Sequence, residues 1–302
     1  MTDKIHDTLM QINTERLKWY VKKIEGLRHG WANYNALANK AEFIEETLRS
    51  LNLSIENQKF TFHGRSYRNI IAAKEGIDHQ KEEDILLGAH YDAAWGSPGA
   101  DDNASGVAVL LEAANVLFNQ KLKRTVRFVA FTLEEPQPQT IHFLIGSEYF
   151  ASEASKLKKR YEAVLILESV GYTDDAKGSQ FVPVFVRSPI PKTGNFLGII
   201  ANRRSKIIME TFSGVAREYV PDLITVPYKV PLSGRIIPES RFSDHASFWN
   251  YGYPALMLTD TAMFRNPHYH TSHDRLETLD FNFMSNVTKA VVSFILKLGN
   301  ED

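Results

Sequence analysis

The sequence predicts one α/β domain, with a central mixed and mostly parallel β-sheet flanked by helices. Strand-like segments alternate with segments of helical periodicity along most of the 302 residues, the order typical of βα units. Several strand-like segments are continuous apolar runs, which indicates parallel strands buried on both faces. No linker, internal repeat or low-complexity tract divides the chain. We therefore expect a single domain over residues 1–302, in which N-terminal helices (1–52) pack on an α/β core (53–302).

The first 119 residues contain helices, then strands, then a helix. Two segments show helical periodicity with mixed charge, and two strand patterns meet at a His-Gly pair typical of a turn. In chain order, the predicted elements are helices over 6–27 and 36–51, strands over 57–64, 65–76 and 85–91, and an amphipathic helix over 104–119.

The remaining residues continue the alternation, and two of their strands end in glutamates. These strands cover 125–135, which ends in Glu134 and Glu135, and 161–169, which contains Glu168. The further elements, in chain order, are a helix over 147–160 with the basic run KLKKR (156–160) as its solvated end, a strand over 183–188, a helix near 195–208, a short helix from Asp244, a strand over 254–260 and a closing helix from Asp280. The Pro- and Gly-rich stretch 219–240 has no assigned element.

Composition excludes several classes of protein and of site. The formal net charge of -1 argues against a nucleic-acid binder, which normally carries a basic excess. The chain has no cysteine, so disulfides, thiolate metal sites and thiol nucleophiles are excluded, and any metal must be held by His, Asp and Glu. The N-terminus lacks an apolar signal-peptide core and no apolar run is long enough to span a bilayer, which predicts a soluble, cytoplasmic protein with no membrane contact.

Ionisable residues collect where the predicted strands end. The strand ends carry His90 and Asp92, Glu134 and Glu135, and Glu168, and the last strand leads into a loop with His268, His270 and His273. In open α/β sheets, ligands bind outside the carboxyl ends of the strands, so we expect these side chains to meet at one edge. Such a cluster needs cations to neutralise it. Carboxylates and imidazoles without sulfur suit zinc, with cobalt or manganese as possible substitutes.

Hydrolysis by a pair of metal ions would use this inventory. Two ions about 3.5–4 Å apart need a bridging carboxylate and terminal ligands, and a further carboxylate that binds no metal must move protons. The turn GADDNASG (99–106) offers a bridging aspartate, and the adjacent Glu134 and Glu135 can divide the roles of base and ligand.

The motifs as a set resemble a known family, the co-catalytic zinc aminopeptidases that include bacterial leucyl aminopeptidases. Glutamate carboxypeptidases and glutaminyl cyclases are related to that family. The matching segments, in the order of the family, are HYD (90–92), GADDNASG (99–106), LEEP (133–136), GSEYFA (146–151), LES (167–169), SDHASFW (243–249) and PHYHTSHD (267–274). The resemblance implies the fold of the zinc aminopeptidases, with its phosphorylase/hydrolase-like sheet, and two bound zinc ions.

The resemblance also implies a metal ligand set. His90 and Glu168 would bind one ion, Glu135 and His270 the other, and Asp102 would bridge the two. The family frame favours Asp102 over Asp101 as the bridge. His268 and His273 could also be ligands, but we expect them outside the inner set.

Three further residues acquire catalytic roles from the same resemblance. Glu134 would be the general base, which takes a proton from the metal-bound water and passes it to the leaving amine. Asp92 would orient His90, as ligating histidines usually require. Tyr269 matches a position that steadies the developing oxyanion in some members.

Residues near these motifs have simpler expected roles. We expect Ser243 to cap the helix that follows it, and Asp244 and His245 to support the site from outside the inner set. Arg241 and Arg265 could reach a substrate carboxylate, although surface ion pairing is the default interpretation.

Two departures from the family bear on substrate and metal. Many secreted aminopeptidases have aspartate where Glu168 stands, and a longer side chain alters the geometry of that metal site. The insertion PQPQTIHFLI (136–145) is longer than in compact aminopeptidases, and we expect it to overhang the site and shape access. A comparable insertion occurs in glutaminyl cyclases.

The leading functional hypothesis is therefore an aminopeptidase that hydrolyses the N-terminal bond of peptides with a metal-bridging hydroxide and a glutamate base. The alternative is a glutaminyl-peptide cyclotransferase that uses a single zinc, against which stand the full GADDNASG turn and Tyr269. Carboxypeptidase activity lacks an identifiable basic pocket in the sequence. A non-catalytic, peptidase-like binding domain is the third interpretation.

Overall fold

A central sheet with helices on both faces organises the chain in the computed structural model, which describes residues 2–138, 142–183, 186 and 189–301. The strands are β1 (Ser54–Phe62), β2 (Arg65–Lys74), β3 (Glu83–His90), β4 (Val126–Phe131), β5 (Arg160–Glu168), β6 (Leu197–Ala201), β7 (Thr225–Lys229) and β8 (Ala255–Thr259). The helices are α1 (Thr2–Leu9), α2 (Thr14–Ile24), α3 (Tyr34–Arg49), α4 (Gly106–Leu117), α5 (Ile145–Lys156), α6 (Lys206–Tyr219), α7 (His245–Asn250) and α8 (Phe281–Leu298).

The strands form one mixed sheet in the order β1-β2-β4-β3-β5-β8-β6-β7. The four central strands β4, β3, β5 and β8 are parallel, whereas β1 and β2 pair antiparallel at one side and β6 pairs antiparallel with β8. The predicted fold class, a single α/β domain on a mixed and mostly parallel sheet, is confirmed.

Alternate residues of the central strands pack into two separate cores. In β3, Ile85 and Leu87 join the core formed with α1–α4, α6 and α8, whereas Leu86 joins the core formed with α5 and α7. In β5, Leu165 joins the first of these cores and Ile166 joins the second. The period of two along a strand therefore explains why the central strands are continuous apolar runs, because both faces are covered by helices.

Several predicted elements differ from the structure. The helix predicted near 195–208 is wrong, because Leu197–Ala201 forms strand β6 and the helix begins only at Lys206. A short apolar run does not distinguish a buried strand from a helix by periodicity alone, and here the pairing with β8 decides. Helix α5 ends at Lys156, before the predicted 160, and Lys158 has a left-handed φ of 54°.

Two other predictions concern the N-terminus and the segment before β6. The helical pattern over 6–27 is divided into α1 and α2, and Asn13 caps α2 by accepting a hydrogen bond from the Arg16 amide. The strand predicted over 183–188 falls largely outside the described residues. No helix in the described part of the chain has both the length and the apolar character that crossing a bilayer requires.

Helix α2 is joined to helix α4 by an ion pair whose acidic partner is fully buried. Glu112 lies in α4 with its side chain fully buried, and its Oε2 is 2.5 Å from Arg16 Nε of α2. Arg16 NH2 donates a second hydrogen bond to Oε1 at 2.6 Å, and the Asn13 amide donates to the same oxygen at 2.8 Å. These bonds satisfy a carboxylate that would otherwise be costly to bury.

We expect Arg16→Met to lower the free energy of unfolding by about 2–4 kcal/mol, because it leaves a buried carboxylate without its counter-ion. Urea denaturation followed by circular dichroism measures the change. Lys18→Met, an exposed position on the same helix, serves as the control and should change stability by less than about 0.5 kcal/mol. Equal stability of the two variants would contradict this account of Glu112.

Candidate metal centre and active site

The sequence-predicted residues meet at the carboxyl edge of the parallel strands. Strand β3 ends at His90 and β5 ends at Glu168, and β4 ends three residues before Glu134. Strand β8 ends at Thr259 and leads into the loop that carries His270. Because parallel strands present their carboxyl ends at one edge, these distant parts of the chain converge there.

Asp102 lies between the two histidines and contacts both. Its Oδ1 is 3.2 Å from His90 Nε2, and its Oδ2 is 3.0 Å from His270 Nε2. The two oxygens of one carboxylate therefore face two different imidazoles, which is the arrangement that a bridging ligand requires.

Each imidazole faces further carboxylates, so that two groups of ligand atoms form. In the first group, His90 Nε2 is 3.4 Å from Glu168 Oε2 and 3.8 Å from Glu134 Oε2. In the second, His270 Nε2 is 3.3 Å from Glu135 Oε2, and Asp102 completes the set. Glu134 stands farther from the His90 nitrogen than Asp102 or Glu168 does, which suits a base better than a ligand.

The donor atoms fit metal ions. Both ring nitrogens of His90, Asp102 Oδ1 and Glu135 Oε1 are buried without a hydrogen-bond partner, although acceptor and donor atoms lie within reach. Ligand atoms about 2.0–2.2 Å from a tetrahedral zinc ion lie about 3.3 Å from one another. The separations of 3.0–3.4 Å between the histidine nitrogens and the oxygens of Asp102, Glu135 and Glu168 match this spacing.

The charges of the site show an excess of carboxylates. Burial raises the pKa of Glu134 well above its usual value, and the charges of Glu168 and Glu135 add to this against the effect of His90. Burial, with the charge of Asp102, raises the pKa of Glu135 to about 7. Burial alone would lower the pKa of His270, but hydrogen bonds to Asp102 and Glu135 raise it to about 11. Positive charge is thus strongly favoured at this place.

Asp92 lies beside His90 and holds the loop that carries the two glutamates. Its Oδ1 is 3.6 Å from Nδ1 of His90, whereas Asp102 faces the other ring nitrogen, Nε2. The amides of Glu134 and Glu135 donate to the two oxygens of Asp92 at 3.1 and 3.2 Å. One carboxylate therefore fixes the path of the chain that carries Glu134 and Glu135, and it lies beside the imidazole of His90.

Asp274, which the sequence interpretation did not single out, holds the Asp102 turn in the same way. It accepts hydrogen bonds from the amides of Asp101 and Asp102 at 2.8 and 3.1 Å. Asp101 points away from the histidines, since it accepts from the Gly171 amide and from Asn266 Nδ2. Asp274 is the last residue of the motif PHYHTSHD, and this position was the sequence signal that could have identified it.

Arg28 is a second residue that the sequence interpretation missed. It lies in the turn after α2, is fully buried, and donates to the carbonyl oxygens of Tyr91, Gly26, Pro98 and Gly99. Burial lowers the pKa of this guanidinium, while the charges of Asp274 and other carboxylates of the site oppose the shift. No local pattern marks an isolated arginine as buried, so only the fold identifies it.

The segment 243–249 differs from its expected role. Ser243 does not cap helix α7, which has no side-chain cap, but donates its hydroxyl to Glu168 Oε2 at 2.7 Å. Both oxygens of Asp244 are buried without a hydrogen-bond partner among the described residues, and burial raises the pKa of this carboxyl to about 7. His245 bonds the Ser240 carbonyl at 2.9 Å, and burial lowers its pKa to about 3, so this imidazole is neutral.

The loop after β8 places its other residues around His270. The ring of Tyr269 stacks on that of His270, with centroids 3.9 Å apart and planes 15° apart. Burial and the charge of Asp102 raise the pKa of the Tyr269 hydroxyl, so it keeps its proton. His268 and His273 contact each other, with ring centroids 6.3 Å apart, and belong to neither group of ligand atoms among the described residues.

The two arginines considered in the sequence do not form the expected surface ion pairs. Arg265 is buried, donates to Gln180 Oε1 at 3.0 Å and lies over the ring of Phe196 at 4.5 Å. Arg241 donates to the Ser233 carbonyl and to Asn250 Oδ1.

The flanks of the insertion 136–145 contact the site, and residues 139–141 lie outside the described part. The Leu144 amide donates to the Glu134 carbonyl at 2.8 Å, and Gln137 Nε2 donates to the Glu135 carbonyl at 2.7 Å. Phe143 meets Phe242 edge to face, with ring centroids 6.1 Å apart. The insertion thus borders the glutamates, as its place in the sequence predicts.

An apolar cavity of about 120 Å³ opens from the same site. Glu168 and Tyr269 lie at its edge, and apolar side chains line the rest. These side chains include Phe196, Ile200, Val226, Tyr228, Ile237 and Met257.

Sequence comparison identifies the family. The model of peptidase family M28 matches residues 69–295, which is most of the chain. The chain belongs to peptidase family M28. Within the sequences it resembles, the uncharacterized protein YfbL of Escherichia coli K12 is 34% identical over 272 residues, which cover 87% of this chain and 81% of YfbL.

A relative with a named activity is less similar and longer. The probable leucine aminopeptidase of Arthroderma otae is 27% identical over 257 residues, which cover 80% of this chain and 59% of that protein. The chain therefore spans less than two thirds of the length of this relative. Together with the family match, the similarity makes the chain aminopeptidase-like.

Solved structures share the fold. A zinc aminopeptidase from Bacillus subtilis has a TM-score of 0.75 at 16% identity, with 96% of each chain covered. A glutaminyl cyclase from Porphyromonas gingivalis has a TM-score of 0.70 at 23% identity, with 95% of this chain and 99% of that chain covered. At these identities the similarity shows the fold alone.

We expect Ser243→Ala to weaken metal binding about 10- to 100-fold, since a hydrogen bond that orients a ligand typically has this effect. Titration of the apo-protein with zinc against a competing chelator measures the affinity. Ser247→Ala provides the control, because this buried serine bonds Ser147 and contacts no candidate ligand. Unchanged affinity in Ser243→Ala would show that Glu168 needs no support or binds no metal.

Proposed function

We propose that this M28 family member is a zinc-dependent aminopeptidase that removes N-terminal residues from peptides. The observation that carries the proposal is the position of Asp102, whose two oxygens face His90 and His270 at 3.2 and 3.0 Å. A carboxylate shared by two imidazoles could contribute one ligand oxygen to each of two cations.

The proposed ligands divide between two ions. His90 and Glu168 would hold one, Glu135 and His270 the other, and Asp102 both. Bound zinc ions supply Lewis acidity, which makes water a nucleophile near neutral pH and polarises a carbonyl.

Glu134 would act as the general base. Its carboxylate lies 3.8 Å from His90 Nε2, its backbone is held by Asp92, and its raised pKa favours the uptake of a proton. It would accept a proton from the attacking water and deliver it to the leaving amine. Tyr269, which keeps its hydroxyl proton, would donate a hydrogen bond to the developing oxyanion.

The apolar cavity supports a preference for large apolar N-terminal residues. Its edge contains Glu168 and Tyr269, so a substrate with its scissile carbonyl at the site would direct the side chain of its first residue into the cavity. Burial of a leucine or phenylalanine side chain there stabilises binding by about 1.5–3 kcal/mol relative to glycine.

Glu134→Gln should lower kcat about 10²- to 10⁴-fold while both metal ions stay bound, because it removes the base but no ligand. Steady-state hydrolysis of a leucyl peptide measures kcat, and elemental analysis by mass spectrometry measures the metal content. Glu46→Gln, an exposed glutamate on α3 outside the ligand groups, is the matched control. Full activity in Glu134→Gln would refute the assignment of this base.

Ile200→Trp should reduce kcat/KM for peptides that begin with phenylalanine by about tenfold or more, and for those that begin with alanine by much less, because the larger side chain fills the cavity. The control is Ile207→Trp, on an exposed position of α6. A uniform loss for both peptides would mean that the cavity does not hold the first side chain.

One experiment tests the proposed function against its alternatives. Zinc-reconstituted protein is incubated with peptides that begin with leucine, phenylalanine or glutamine, and the products are identified by mass spectrometry. Stepwise loss of N-terminal residues is the expected result. Loss of ammonia from the glutamine peptides alone would instead identify a cyclase, and no change with zinc bound would favour a binding domain.

A further inference from the structure

A second groove, with a basic lining, lies next to the proposed active site. It has a volume of about 390 Å³ and lies between the start of α5, helix α7 and the segment 234–242. Its lining includes Leu144, Arg235, Arg241, Phe242 and Asn250.

Two arginines give this groove its charge. Arg241 is half-buried and is held by bonds of 2.8 Å to the Ser233 carbonyl and 2.7 Å to Asn250 Oδ1, whereas Arg235 is exposed. Neither arginine forms an ion pair with the part of the chain that the structure describes. Burial lowers the pKa of Arg241, and the charge of Arg235 adds to this effect. The two guanidinium groups therefore repel each other, and an anion between them would relieve the repulsion.

The acidic residue of the groove does not neutralise both charges. Glu148 also lines it, but its carboxylate accepts hydrogen bonds from the Tyr251 hydroxyl at 2.7 Å and from Asn250 Nδ2 at 3.4 Å. With one carboxylate and two guanidinium groups, the lining keeps an excess of positive charge.

The groove adjoins the backbone of the segment that carries Glu134. Leu144, which lines the groove, donates its amide to the Glu134 carbonyl at 2.8 Å. Phe242 lines both the basic groove and the apolar cavity, and its ring meets that of Phe143, which lines the groove. Arg235 and Arg241 line the groove but not the apolar cavity.

This placement matches the direction of a bound peptide. A base that protonates the leaving amine must lie on the leaving-group side of the scissile bond, and the basic groove borders the segment from which the proposed base, Glu134, projects. One or two residues beyond the bond extend about 3.3–3.6 Å each. A carboxylate on a short leaving group would then be directed towards the arginines.

We propose that Arg235 and Arg241 bind a carboxylate on the leaving-group side of the substrate. It is either the C-terminal carboxylate of a di- or tripeptide or the side chain of an acidic residue, both of which suit the planar guanidinium fork. The inference rests on the proposed aminopeptidase function, because the direction of the peptide follows from the role of Glu134.

Binding of non-hydrolysable peptides tests the proposal independently of catalysis. The probes are Leu-Ala and Leu-Ala-Ala with a reduced first peptide bond, each as free acid and as carboxamide, and the matching Leu-Asp carboxamide. Isothermal titration calorimetry of the zinc-loaded protein should show that a carboxylate improves affinity about 5- to 30-fold over the uncharged carboxamide. Arg235→Gln should reduce this preference to less than about twofold. Arg241→Gln is a second variant, which tests whether Arg241 provides the larger share of the carboxylate binding.

The control is Arg203→Gln, an exposed arginine outside the groove, which should keep the full preference. Preference for the free acids identifies the C-terminal carboxylate as the source, and preference for Leu-Asp carboxamide identifies a side chain. Equal affinity for acid and carboxamide, a preference unchanged in both groove variants, or no binding of any probe overturns the proposal.

Hydrolysis of Leu-Ala carboxamide with an ordinary peptide bond, by the same wild-type sample, separates this inference from the proposed function. If the carboxamide is cleaved but the probes show no carboxylate preference, the aminopeptidase stands and the basic site does not. If nothing is cleaved but the free acids bind better through Arg235, the carboxylate site stands and the proposed activity fails.

Discussion

The oxygens of three buried carboxylates, Asp102, Glu135 and Glu168, lie 3.0–3.4 Å from two imidazole nitrogens. Buried carboxylates gathered around the same two imidazoles repel one another, because little water screens their charges. The arrangement is stable only if positive charge is present between them. The surrounding residues must therefore hold these groups together against that repulsion.

Backbone hydrogen bonds do much of this holding. Asp92 accepts from the amides of the glutamate loop, and Asp274 accepts from the amides of the Asp102 turn. Arg28 ties the N-terminal turn to the carbonyls of the segment between Tyr91 and Gly99. Residues far apart in sequence thus hold the two loops that carry Asp102 and the two glutamates next to His90. Arg28 lies outside the region that the family model matches, so the segment between α2 and α3 also contributes to holding the loop that follows β3.

The two cavities beside the proposed metal centre differ in chemistry. One is apolar and has Glu168 and Tyr269 at its edge, and the other is basic and is lined by Leu144, whose amide bonds the backbone of Glu134. An exopeptidase must distinguish the free N-terminus of its substrate from the remainder of the chain. Different environments on the two sides of the scissile bond provide a physical basis for that distinction.

The sequence by itself determined the fold class and which residues meet, because hydrophobic periodicity follows local chain geometry and ionisable residues at the ends of parallel strands have one common edge to occupy. It did not identify β6, whose apolar run becomes a strand only through pairing with β8. It also missed the partner of Ser243, the burial of Arg28 and the groove of Arg235 and Arg241. Tertiary structure decided these features, since each depends on contacts between segments that no local pattern links.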